Sequence, residues 1–173
     1  MNLRVAHAGF AASDAVRSDL DRVQALWAHA RARHGAGGPW LFGAWSAADA
    51  FFAPVAARIA TYDLPVSDAA AGYVAQHLAD PAFRRWRAMG FASGPVLERY
   101  AMDLPLRAWP GPQPIPASAV DSGRAENDAC PYSGKPVTHL MRMQGRVFGF
   151  CNAFCRDKTV ADPQAWDAFM ALV

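Results

Sequence analysis

The sequence predicts an all-α helical bundle over residues 1–103, joined by a proline-rich linker over 104–127 to a small α+β module of ββαα order over 128–173. Three observations carry this. Before position 104, apolar residues recur at helical spacing between capping residues. Five prolines then fall between Pro105 and Pro116, a composition that favours stiff, extended backbone. Beyond them two strand-like runs meet at Gln144-Gly145, with all three cysteines of the chain around them.

The first helix is expected from about Asp14 to His34, with Val16, Leu20, Val23, Leu26, Trp27 and Ala30 as its apolar stripe. Gly35, Gly37 and Gly38 stop it, because glycine readily takes the conformation that ends helices. The second helix opens at Ser46-Ala47-Ala48-Asp49, a capping box in which the serine hydroxyl and the acidic side chain satisfy each other's backbone amides. Such a cap contributes about 1 kcal/mol and needs no ligand to explain it. The run from Asp49 to Thr61 is apolar on nearly every side, which predicts a buried central helix, bent at Pro54.

Further helices are expected at Ser67–Leu78, at Pro81–Met89 behind Asp80, and at Pro95–Met102, making a bundle of five. Trp27, Phe51, Phe52, Tyr62, Tyr73 and Trp86 are its expected aromatic core. His7, His29, His34 and His77 stand alone, with no carboxylate or cysteine at helical spacing to make a site.

In the C-terminal module, strands are predicted over Val137–Met143 and Arg146–Phe150, then a helix from Asn152 to Val160. A last helix follows Asp162, with Pro163 at its first position and Trp166, Phe169 and Met170 on one face. A module this small rarely folds without a staple or a docking partner. Cys130 precedes the hairpin, while Cys151 and Cys155 leave it one helical turn apart. Three thiolates suit zinc, copper(I) or iron, and zinc normally takes a fourth ligand. His139, Asp157 or water are the candidates for that position. The other reading of Cys151 and Cys155 is redox chemistry at a helix start.

Composition narrows the function classes. Of 173 residues, 53% are hydrophobic and 18% charged, as in ordinary globular protein. Seventeen basic and fifteen acidic residues are scattered without a basic run, which argues against nucleic acid as a partner. The start lacks a secretory core, and the most apolar stretch, Trp40 to Ala60, is broken by Asp49, Pro54 and Arg58, so neither export nor a membrane span is expected. That predicts a cytoplasmic protein with reduced thiols.

The stretch GGPWLFGAWSAADAFFAPVAARIATY, with Asp80-Pro81-Ala82-Phe83-Arg84-Arg85-Trp86 after it, resembles the C-terminal all-helical domain of bacterial glutathione transferases. Met1-Asn2-Leu3-Arg4 is similar to the end of that domain's first helix. The resemblance implies a glutathione transferase-like protein. That family's thioredoxin-like domain, with its glutathione pocket and thiol-activating residue, has no counterpart in this sequence. No catalytic residue can be assigned, and glutathione would bind only with that domain supplied.

CPYSGKPV, GRVFGFC, CNAFC and ADPQAW resemble the YHS and TRASH class of small, zinc-knuckle-like cysteine domains. This second resemblance implies metal binding by Cys130, Cys151 and Cys155. Where many relatives have a second cysteine in the turn, this sequence has Ser133. Three functions are therefore expected to compete: a portion of a glutathione transferase without conjugating activity on its own, a module that carries or senses a thiophilic ion, and a dimerisation scaffold. The apolar bundle faces predict either a homodimer or docking of a thioredoxin-like domain.

Overall fold

The computed structural model describes residues 3–173, so Met1 and Asn2 of the first resemblance lie outside the described residues. The chain forms two compact units: residues up to Asp80 together with Leu97–Pro112, and Pro81–Val96 together with Gln113–Val173.

In the first unit, α1 spans Asp14–His34, α2 Ala47–Tyr62 and α3 Asp68–Ala79. Each begins where a serine marks the boundary. Ser13 Oγ accepts from Val16 N, Ser67 Oγ accepts from Ala70 N, and Ser46 forms the capping box with Asp49. Leu20 and Trp27 of α1, Ala56, Ala57, Ile59 and Ala60 of α2, and Tyr73, Val74 and Leu78 of α3 are buried. Trp27 meets the Tyr73 ring edge-on at 4.7 Å, a favoured aromatic geometry.

The expectation of an all-α bundle is corrected. The fold is mixed, with six α-helices and two antiparallel sheets among the described residues. Within the first unit, β1 (Ala6–His7) pairs with β2 (Leu106–Arg107). Strands of two residues carry no readable period, and β2 lies in the proline-rich stretch. The fifth helix does not form: Glu98–Tyr100 is a single 3-10 turn between extended residues Leu97 and Ala101. The central helix is buried along one side only. Phe51, expected in the core, is 83% exposed.

In the second unit, α4 spans Pro81–Ser93, β3 Ala117–Val120, β4 His139–Met143 and β5 Arg146–Phe150. Helix α5 spans Ala153–Ala161, a 3-10 turn spans Pro163–Ala165, and α6 spans Asp167–Met170. The sheet runs β3-β4-β5, so the predicted hairpin gains a third strand from the proline-rich segment. Gln144 and Gly145 both have positive φ, 51° and 80°, and they join strands paired Met143 to Arg146. That is the two-residue turn whose twist matches a hairpin. Met141, Met143, Phe148, Phe150 and Phe169 are buried together with Ala88 of α4. Helix α4, expected in the bundle, therefore packs with the cysteine module, and its Trp86 is 51% exposed. No helix of the described residues is long and apolar enough to cross a membrane.

Candidate metal centre

The centre is assembled by three backbone devices. Cys130 sits at the mouth of a turn closed by Cys130 N donating to Lys135 O and Gly134 N donating to Cys130 O, both 2.9 Å. Gly134 takes φ 67° there, a conformation glycine adopts without strain. Cys151 follows β5, and its carbonyl accepts from Thr138 Oγ1 at 2.8 Å. Asn152 then caps α5 by accepting from Cys155 N at 2.8 Å, which sets Cys155 in the first turn.

These devices bring the three sulfurs within 4.8 Å of one another. All three thiols are free, and Cys151 and Cys155 are 3.9 Å apart at sulfur, too far for a disulfide. Cys130 is buried, while the other two are half-buried. Among the described residues the cluster holds cysteines alone. His139 is turned to Thr138, its Nδ1 2.9 Å from Oγ1. Since the Thr138 hydrogen goes to the Cys151 carbonyl, the imidazole Nδ1 is the donor. Asp157 is paired with Arg156 Nε at 2.7 Å. Neither side chain joins the sulfurs.

Electrostatics around the cluster separate the thiols. Burial by itself raises the Cys130 thiol, but hydrogen bonds from the backbone of Cys151 and Tyr132 and from the Ser133 and Cys151 side chains bring it down to about 7. Burial, the Cys151 hydrogen bond and the neighbouring thiolates push Cys155 up to about 11. A metal-free cluster thus sheds one proton easily and holds another tightly.

Sequence reasoning did not single out Lys158 or Tyr132. Lys158 is buried, with Nζ 3.7 Å from the centroid of the Tyr132 ring and 3.8 Å from that of Trp166, a cation held between two π faces. Burial pulls its pKa down and the three cysteines pull it back up, so its charge is felt by the whole cluster. Tyr132 OH donates to Thr159 Oγ1, whose own hydrogen goes to the Cys155 carbonyl at 2.8 Å. The readable signal was spacing: Lys158 follows Cys155 by three residues on one helix, which puts both on one face.

The first unit holds a second polar group. Asp49 is fully buried and accepts from Ser46 N, Ser46 Oγ and Tyr73 OH at 2.8 Å each and from Leu41 N at 3.2 Å. Burial raises its pKa, and these bonds more than offset that, leaving it below the usual carboxylate value. With every partner inside the fold, the group acts as a structural tie. Comparison with protein-family models, characterised proteins and solved structures gives no match for this chain.

Proposed function

We propose that the second unit is a thiophilic-metal-binding module that holds zinc through Cys130, Cys151 and Cys155. The observation that carries the reading is convergence of three free thiols within 4.8 Å from positions twenty-one and four residues apart. The 3.9 Å between the Cys151 and Cys155 sulfurs matches the spacing of about 3.8 Å for two thiolates each about 2.3 Å from one tetrahedral ion, and a small inward shift completes the set. Sulfur donors also suit copper(I) and iron, so the identity of the ion is itself an outcome of the test. A site of reduced thiols belongs in a reducing compartment such as the cytoplasm.

The first unit is read as a helical scaffold related to the C-terminal domain of glutathione transferases, supported by its Ser46–Asp49 capping box and α2. Its described residues bring no nucleophile–base pair together, so the polypeptide is expected to have no glutathione-conjugating turnover of its own. Elemental analysis of protein purified under reducing conditions, beside Cys130→Ser, Cys151→Ser and Cys155→Ser, tests the metal reading. About one ion per chain, lost in each variant, is expected. A protein that stays metal-free after incubation with zinc in reductant overturns it.

A further inference from the structure

Resting on the metal reading above, we infer that the bound ion keeps an exchangeable fourth position beside Ser133, open to a small-molecule thiolate. Among the described residues the cluster holds three cysteine sulfurs and no histidine or carboxylate, with His139 Nδ1 and Asp157 paired to other groups. Zinc completes a tetrahedron. The Ser133 hydroxyl lies beside the cluster, 3.2 Å from Cys151 Sγ. Ser133 is thus against the Cys151 sulfur, and it is exposed. A neutral hydroxyl is a weak zinc ligand and does not close the site.

Charge decides which ligand class enters. Three thiolates and a divalent ion sum to one negative charge, and the Lys158 ammonium between Tyr132 and Trp166 cancels it. An incoming anion therefore meets a site without net charge, where an uncompensated three-thiolate centre would repel it. Three sulfur ligands select a soft fourth partner. Asn152 Nδ2, 3.4 Å from Cys151 Sγ, and the Ser133 hydroxyl donate to sulfur on this side. These donors lower the electron density that a fourth thiolate would otherwise oppose.

The test uses the full chain loaded with cobalt(II), with a phosphine as the only other reductant, and titrates 2-mercaptoethanol while recording thiolate-to-cobalt absorption. In the natural protein the absorption is expected to grow with added thiol. Ser133→Cys is expected to show the larger absorption from the outset and no response. Ser133→Ala should still respond, but at a higher thiol concentration, since one donor to the Cys151 sulfur is lost. No response in the natural protein together with a response in Ser133→Ala makes the serine oxygen itself the fourth ligand and overturns the inference. No response in either, with cobalt bound, overturns it while leaving the three-cysteine site intact. A chain that takes up neither cobalt(II) nor zinc removes both proposals.

Discussion

Arg84 grips Asp162 with two hydrogen bonds, Nε to Oδ2 at 2.8 Å and a terminal nitrogen to Oδ1 at 2.6 Å. Both side chains are largely buried. The pair ties α4 to the turn that follows α5, and Arg85 adds a bond from Nε to the Ala165 carbonyl at 2.6 Å. Two parallel bonds to one carboxylate fix angle as well as distance. They set how a helix made early in the chain lies on a module made late.

Removing one member of this pair leaves the other charge stranded in the interior. Arg84→Ala and Asp162→Ala are each expected to cost the second unit about 3 kcal/mol. The paired replacement Arg84→Met with Asp162→Leu should cost less than Asp162→Ala, since Arg84 is no longer stranded and only Arg87, half-buried nearby, loses the Asp162 charge. Denaturant unfolding of the three variants reads the difference. Equal losses in single and double variants would show that the pair is not buried as described.

His77 makes the first unit sensitive to mild acid. It is buried, its Nε2 has no partner, and the rings of Tyr73 and Trp40 lie 4.5 and 5.2 Å away. Burial holds its pKa below the ordinary 6.5, with Asp49 and Asp80 pulling weakly upward. A group whose folded pKa is lowered stabilises the fold above its unfolded pKa, because below it the unfolded chain takes up the proton first. Stability is therefore expected to fall as pH drops from about 6.5 towards the folded value. His77→Phe should flatten that slope in melting-temperature scans. Parallel slopes would remove His77 as the cause.

Lys158 should tune the metal centre without touching the ion. Lys158→Met is expected to weaken zinc binding roughly tenfold, as lost second-layer partners commonly do. Lys158→Arg, which keeps the charge, should lose much less. Competition against a zinc chelator measures both, and an unchanged Lys158→Met affinity would detach the caged cation from the sulfurs.

Gly149 has no room for a side chain. A Cβ there would stand 2.3 Å from Val137 Cγ1 and 2.6 Å from Cγ2, and valine's branched side chain cannot swing away cheaply. Gly149→Ala is expected to cost about 1–3 kcal/mol by overpacking. Adding Val137→Ala should recover most of it. Failure of that rescue, measured by denaturant unfolding, would place the strain elsewhere.

Much of this was legible in the sequence, and for identifiable reasons. Helices α1 to α3 lie where stripes and serine caps put them, because a helix of twelve or more residues repeats its pattern several times. The cysteines converge because a hairpin reverses the chain and the Asn152 cap sets Cys155, in the first turn of α5, beside Cys151 just ahead of the helix. Short elements escaped: β1, β2 and β3 have two to four residues and owe their existence to partners distant in the chain. Phe51 illustrates the opposite limit, since an all-round apolar helix does not reveal which side another element covers. The placement of Lys158 between Tyr132 and Trp166 needs three segments at once, and no local pattern encodes it.

The allegiance of α4 has a consequence for how the protein is made. The chain visits the two units alternately, crossing after Asp80, after Val96 and after Pro112. No single cut separates them, so a fragment ending before the cysteines would carry α4 without the surface it covers. During synthesis α4 emerges about seventy residues ahead of α5, a wait on the order of several seconds at ordinary elongation rates. For that interval Ala88 and its helix are a nascent segment without a home, and the ribosome's pace sets how long they must be shielded.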